Sequence, residues 1–389
     1  MKSEKIRVVH LITKLELGGA QVNTVYTYEN LDQDSFDAYL VSGPGGILGD
    51  RVEKRDNFFE IPHLVREINP VKDLKAFLSL RSLFKKIRPH IVHTHSSKAG
   101  ILGRLACSSL GIPAVVHSVH GFSFSPFQPA FKRNFFKLAE KIVARLTSHF
   151  IFVSKDDIAA AKEVGLVKDN YSLIRSGFPF ERFLREILDK SPIYQRFSIP
   201  ESSFVCGIIA PFKPQKGLFH LIEVAALVIQ QRPEVVFIIT GDGALRPEIE
   251  ARLKERGIFE NFRLPGFLFD IEQAIEIFDI GISTALWEGL PQSLVQLRLK
   301  KKPVVASNIP GNREVIEEGR NGFLVDVEDY KRYSEKIILL NDNPQERERL
   351  ADASEDFNAW DARVMVKAQE DLYNRLLSTK SPSLTGNFE

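Results

Sequence analysis

Cysteine is nearly absent: Cys107 and Cys206 are the only two in 389 residues, and both stand among core-type neighbours. That excludes a disulfide framework and a Cys-based zinc site, and it implies a reducing compartment. Nowhere do 18 apolar residues run together, and the opening MKSEKIRVVHLITKL reads as a first strand rather than a signal peptide. The expectation is a soluble, cytoplasmic protein. Walker A spacing is missing, which sets aside a P-loop ATPase. No full G-x-G-x-x-G with a trailing acidic residue occurs, which sets aside an NAD site. Fixed-period repeats and low-complexity tracts are absent too.

Strong charge of one sign is also missing from the whole, at +2 net, but the halves differ. Residues 1–180 hold 25 Lys and Arg against 17 Asp and Glu, and 71–150 hold 13 bases against only Asp73 and Glu140. Such a segment suits an anionic partner, a phospholipid surface or a phosphorylated acceptor, or it is simply a solvated basic face.

With 44% hydrophobic residues the chain has material for two domains of roughly 150 to 200 residues. Short β-branched runs alternate with helical patterns: IRVVHLI then Ala20–Leu31, HIVHT then Lys98–Leu110, AVVHSV then Phe127–Leu146, HFIFVS then Lys155–Gly165. The alternation restarts at FVCGIIA and continues through VVFIIT, DIGIS, PVVAS and GFLV. This predicts α/β architecture, two doubly wound Rossmann-like domains built on parallel sheets. The first spans 1–176 and the second 204–356, with a linker at 177–203 that carries one short charged helix. Over 357–378, Trp360, Val364, Val366, Leu372 and Leu376 fall at helical spacing and predict a packed amphipathic helix. The tail 379–389 is expected to be disordered.

Several motifs fall where strands meet helices. LELGGAQ puts Gly18 and Gly19 before a helix, where backbone can approach an anion or simply turn tightly. HTHSSKAG brings His93, His95, Ser96 and Lys98 to one strand end, and VHGFSF brings His120 to the next. Ligands of open α/β sheets sit there, although histidines bonded to backbone across the strand ends would serve structure alone. An H-x-H with a distant histidine and no nearby carboxylate fits a tetrahedral metal poorly. IIAPFKPQKG places Lys213 and Lys216 in a turn suited to neutralising a diphosphate. In TGDGALRPEIE, Gly241 and Gly243 leave room for backbone to approach a ligand.

Most informative is ALWEGLPQSLVQLRLKKKPVVASNIPGNREVI, Ala285–Ile316. It sets Glu288 on a Gly-Leu-Pro turn at the mouth of a helix, with Pro291 fitting the first helical turn. Gln296 follows eight residues later, roughly 12 Å away along a continuous helix. Together they could bridge a sugar and a ribose across a diphosphate; a plain helix cap is the simpler reading of Glu288.

These residues resemble glycosyltransferase family 4, retaining nucleotide-sugar transferases of the GT-B fold. The resemblance runs through GGAQ, HTHSSKAGILGRLA, VHGFSF, FVSK, the lysine turn, GDG, PGF at Pro265–Phe267 and WEGLPQSL. It implies two domains facing a cleft and a C-terminal helix returning to the first. It implies that Glu288 contacts the transferred sugar, Lys216 binds the diphosphate, and His120 approaches the sugar from the first domain. Gly289, Leu290 and Pro291 would form the phosphate turn, Gly266 and Phe267 would border the base, and Gly19 would line the donor cleft. Gln21, His95, Ser96 and Lys98 fall on the acceptor side. No metal or other cofactor is implied. Two positions depart from the pattern. Gln296 replaces the second glutamate of E-x7-E, losing charge assistance of about 1 kcal/mol. Pro211 stands where an arginine is usual, with Lys213 two places on. F-K-P-Q-K with E-x7-Q marks a branch of the family.

The expected reaction moves a sugar, with retained configuration, from a nucleotide diphosphate, UDP favoured, to a hydroxyl of a glycan or lipid-linked acceptor in cell-surface polysaccharide synthesis. Partners are the donor, the acceptor and, through 71–150, an anionic membrane surface, but not nucleic acid. Phe127, Phe131, Phe135 and Phe136 interleave with Lys132, Arg133, Lys137 and Lys141 and would meet lipid at the inner face of the membrane. Two other readings share the fold: a sugar-nucleotide epimerase, and a non-catalytic nucleotide-sugar-binding protein.

Overall fold

Apolar runs without alternation need cover on both faces, and each strand run named above meets it in a parallel sheet. The computed structural model describes residues 4–16, 18–53, 55–121 and 130–379, and not the side chains of 130–133, 135 and 136. Phe127, the other aromatic and basic side chains at 131–136, the 122–124 end of VHGFSF, and the tail from Lys380 therefore lie outside the described residues. The chain divides into two compact units, Met1–Phe178 with Asn358–Glu389, and Pro179–Phe357.

In the first unit the strands are β1 Ile6–Leu11, β2 Phe36–Ser42, β3 Phe58–Glu60, β4 Ile91–His95, β5 Ala114–Val119, β6 His149–Phe152 and β7 Tyr171–Leu173. They form one sheet in the order β3-β2-β1-β4-β5-β6-β7, parallel throughout. The order reverses between β1 and β4, the place where such sheets bind ligands. Helices α1 Gly19–Asn30, α2 Pro70–Ile87, α3 Ser97–Ser108 and α4 Ala130–Ala144 join them. α2 starts where Pro70 needs no N–H and the Asn69 side chain accepts from Lys72 N–H. One sheet face packs Val9, Leu11 and Val92 against Leu80 and Phe84 of α2 and Ala106 of α3.

The opposite face is covered from the far end of the chain. Met365, Val366, Leu372 and Tyr373 of the helix Ala362–Ser378 pack on Val8, Ile91, Val116 and Ile151, at roughly 1.5–3 kcal/mol for each large side chain buried. The buried stripe runs through 362, 365, 366, 369, 372 and 373. Val364, expected on it, is 48% exposed, because it lies about two residues round the helix from that stripe.

The second unit holds β8 Val205–Ile209, β9 Val236–Thr240, β10 Phe262–Gly266, β11 Ile280–Ser283, β12 Val304–Ser307 and β13 Gly322–Val325. Their order is β10-β9-β8-β11-β12-β13, again parallel and reversing at β8 and β11. Instead of one short helix, 177–203 carries two, Phe180–Leu184 and Ser191–Phe197. They bury Phe180, Phe183, Ile193 and Phe197. Arg182 reaches Glu272 at 2.8 Å and Arg196 reaches Asp270 at 2.6 Å, so the segment from Pro179 on is packed into the second unit.

Candidate functional site

Reversal at β8 and β11 lays two loops side by side, 211–217 and 284–291. Leu286 N–H donates to the Gln215 carbonyl at 2.8 Å, and Thr284 Oγ1 donates to the Lys216 carbonyl at 3.2 Å. Gly217 makes this approach possible. Its φ is +59°, and a Cβ there would lie 2.1 Å from the Thr284 carbonyl oxygen. On this platform Lys216 forms an ion pair with Glu288, the two side chains only 17% and 9% exposed. Gln215 Nε2 donates to Glu288 Oε2 at 3.3 Å and to the Trp287 carbonyl at 2.9 Å.

Gly311, in the short helix Pro310–Arg313 after β12, backs the same peptide. A Cβ there would stand 2.6 Å from the Glu288 carbonyl oxygen and 2.8 Å from that of Gly289. The N–H groups of Glu288, Gly289 and Leu290 donate to no described group. Three consecutive free donors next to a helix start are suited to an anion. That helix is Gln292–Leu299, with Pro291 as its N-cap rather than in its first turn. Residues 288–291 are not helical, so the 12 Å helical-rise separation of Glu288 and Gln296 does not apply. Gln296 is half-buried and Lys213 exposed, and neither side chain has a partner among the described residues.

Gly241 and Gly243 open space for a different neighbour than expected. A Cβ at Gly241 would lie 2.0 Å from the Ala210 carbonyl oxygen, and one at Gly243 2.6 Å from that of Phe212. The backbone they admit is the chain's own lysine loop. Gly241 N–H also bonds the Gly266 carbonyl at 2.8 Å, next to Phe267, which is 39% exposed.

In the first unit a cavity of about 550 Å³ lies beyond the ends of β1, β4 and β5, and Gln21, Ser96, Lys98 and His120 line it with Arg66 and Ile68. Gly19 does not line it but opens α1. Lys98 pairs with Asp73 at 2.6 Å, and buried Arg104 pairs with Glu140 at 2.7 Å. Both carboxylates of the basic segment are thus engaged within it. Ser96 holds φ 64°, ψ 153°, a conformation nearly restricted to glycine. Its hydroxyl bonds Thr13 Oγ1 at 2.7 Å.

His95 does not reach the cavity. It is 3% exposed, with Nε2 3.3 Å from His10 Nδ1 and Nδ1 3.3 Å from His120 Nε2. His93 Nδ1 meets the Tyr373 hydroxyl at 2.6 Å, and its Nε2 meets Ser118 Oγ at 2.7 Å. The histidines are therefore joined through side chains, not to backbone. Burial pushes His10 down to about 3 and His120 to about 4, and holds His93, His95 and His117 well below the usual imidazole range. All are neutral at pH 7. Nitrogens of His10, His93 and His95 lie within 4.8 Å of one another, a spacing that a metal could bridge. Every one except His10 Nε2 already has a hydrogen-bond partner.

Residues 17–182 match the model of Glycosyltransferase Family 4, and 189–357 that of Glycosyl transferases group 1. The UDP-Gal:alpha-D-GlcNAc-diphosphoundecaprenol alpha-1,3-galactosyltransferase of Escherichia coli is 31% identical over 350 residues, 88% of this chain and 90% of its own. The chain belongs to glycosyltransferase family 4. The N,N'-diacetylbacillosaminyl-diphospho-undecaprenol alpha-1,3-N-acetylgalactosaminyltransferase of Campylobacter jejuni is 23% identical, covering 80% of this chain and 83% of its own. Anabaena HepE in complex with UDP-glucose matches with a TM-score of 0.81 at 20% identity, over 96% of this glycosyltransferase and 100% of HepE. At that identity it establishes the fold, GT-B. Among the described residues no helix is long and apolar enough to cross a membrane.

Gln215, Gly311, Arg66 and His10 adjoin the candidate residues, and motif reading passes over them. Gln215 carries no charge beside the two lysines of its turn, and Gly311 has no side chain to mark it. His10 looks like any polar residue in an apolar strand. Only its place opposite His93 in the β1–β4 register gives it away.

Proposed function

We propose that this glycosyltransferase moves a sugar, with retention of configuration, from a UDP-sugar to a hydroxyl of a diphosphate-lipid-linked glycan in cell-surface polysaccharide synthesis, without a metal. One observation carries the donor half: Lys216 and Glu288 meet beside three free N–H groups at the β8–β11 reversal. Lys216 would exchange Glu288 for the diphosphate, and Glu288, released, would accept hydrogen bonds from the sugar. Lys216, Lys213 and the N–H groups would stabilise charge on the leaving diphosphate as oxocarbenium character builds. The acceptor hydroxyl would attack from the same face and lose its proton to a phosphate oxygen. Gln296 would bond the ribose without charge assistance, and Gly266 and Phe267 would border the base.

The names of the relatives from Escherichia coli and Campylobacter jejuni, both acting on diphosphoundecaprenol-linked sugars, support the acceptor class. So does the first unit's cavity, where Arg66 and Lys98 adjoin Ile68. Outward from Ile68, Val71, Leu74 and Leu78 follow at helical spacing on α2, each more than half exposed, beside exposed Lys72 and Lys75. An apolar stripe with lysines at its edge suits the anionic inner membrane surface where a lipid-linked acceptor resides. The relatives' names favour transfer over epimerisation or mere binding. Calorimetric titration with UDP and turnover assays with UDP-sugars on a short-chain diphosphate-lipid acceptor test the proposal. Glu288→Gln is expected to lower kcat at least 100-fold while UDP still binds. Unchanged turnover would remove Glu288 from the reaction.

A further inference from the structure

β1, β4 and β5 are adjacent, with His10 opposite His93 and His95 opposite Ser118. Side chains of registered parallel neighbours, and of residues two apart, point to the same side. His10, His93, His95 and Ser118 thus share the face under the C-terminal helix. His120, two beyond Ser118, brings its ring to His95 and to the cavity. His10, His95 and His120 form a row with ring centroids 5.6 Å apart at each step. It starts in the core, where His10 is fully buried, and ends in the proposed sugar-acceptor cavity.

A neutral imidazole has one N–H and one bare nitrogen, so both hydrogen bonds of the row form together only if all three rings run head to tail in one sense. In one sense His120 Nε2–H donates to His95 Nδ1 and His95 Nε2–H donates to His10 Nδ1. The proton of His10 is then left on Nε2, which is buried and without a partner. In the other sense His10 Nδ1–H donates to His95 Nε2 and His95 Nδ1–H donates to His120 Nε2, and Nε2 of His10 is only a bare acceptor. A buried N–H without an acceptor is the rarer defect.

We infer that the row runs outward, so that His10 and His95 are positioning residues that force His120 to carry its proton on Nδ1 and to present a donor, not a base, to the cavity. Resting on the proposed function, this makes His120 Nδ1–H a hydrogen-bond donor to a substrate oxygen. It is consistent with the transferred proton ending on phosphate. The row also stops at His10 Nε2 with no further acceptor, so it fixes a tautomer and gives a proton no exit.

The experiment is long-range 1H–15N correlation NMR on the full chain labelled with 15N-histidine, at pH 7.5 and without substrate, with rings assigned through His10→Phe and His120→Asn. The Nδ1–H pattern is expected for His10, His95 and His120. An Nε2–H pattern at His120 would overturn the inference. So would one metal ion per purified chain that is lost in His10→Phe. His95→Leu, which offers no donor, is expected to release His120 into a tautomer mixture and to lower kcat about tenfold with little change in donor KM. His95→Asn places an amide near the position of Nδ1, and is expected to restore the Nδ1–H pattern and most of the turnover. If Asn behaves like Leu in both readouts, the positioning role is refuted. The tautomer is read without turnover, so failure of the proposed reaction and failure of this inference give different results.

Discussion

Lowering the pH from 7.5 to 5.5 is expected to destabilise the first unit well before its carboxylates titrate. Its buried histidines are neutral when folded and take up protons near pH 6.5 once unfolded. A group with a depressed folded pKa of this kind contributes stability that is full above about pH 6.5 and is lost as the pH falls, because the unfolded state then binds the extra proton. For His10, fully buried and pushed down to about 3, the loss is about 1 kcal/mol at pH 5.5 and roughly 3 kcal/mol at pH 4.5. His93, His95 and His117 are at most 4% exposed and shifted the same way by burial. Each therefore adds a loss of the same sign over the same pH range. At about 2–4 °C per kcal/mol for a unit of this size, His10 alone lowers the corresponding calorimetric transition by several degrees at pH 5.5, and the other three lower it further. Scanning calorimetry of the full chain at half-unit pH steps measures it, and His10→Phe is expected to reduce the slope by about one proton. A transition temperature that moves by less than about 3 °C, or a slope untouched by His10→Phe, would refute the reasoning.

Three other outcomes follow from the geometry. Gly311→Ala puts a methyl 2.6 Å from the Glu288 carbonyl oxygen and is expected to cut kcat more than tenfold at a cost of about 1–3 kcal/mol in stability, seen by turnover and melting. Gln296→Glu restores charge to the proposed ribose contact, and is expected to tighten UDP binding about fivefold by titration calorimetry, as about 1 kcal/mol of charge assistance implies. Leu74→Glu with Leu78→Glu places two acids on the exposed stripe of α2, and is expected to abolish flotation with anionic liposomes while turnover on a water-soluble acceptor persists.

Much of this architecture is legible in the sequence where chemistry is local. β9 is buried at every position, so it appears as an unbroken run of β-branched and aromatic residues; β5, buried likewise, shows valines on either side of His117 and Ser118. β3 and β7 have three residues each, none fully buried, and leave no such trace. β10 contains Pro265 and shifts register before Gly266, which hides it. The turn around Glu288 stands out because glycine and proline punctuate it. Its supports do not, since Gln215 lies 73 residues away and Gly311 acts only through the space its missing Cβ leaves. The histidine row shows the same limit. HTH and VHG invite attention singly, but sheet order decides that His10 belongs with them. At Gly241 and Gly243 sequence shows room for a close approach but not that the Ala210 and Phe212 carbonyls fill it.

Tyr373 on the C-terminal helix closes over His93, and this has a consequence for the order of synthesis. All of Pro179–Phe357 is translated after the first seven strands and before that helix. At 5–20 residues per second the delay is roughly ten seconds to half a minute. During that time Val8, Val116 and Ile151 lack the cover this helix gives, and one nitrogen of His93 has no hydroxyl to bond. The nascent first sheet thus carries an apolar patch that stays open until that helix docks. A stop codon anywhere before residue 360 would leave it so for good.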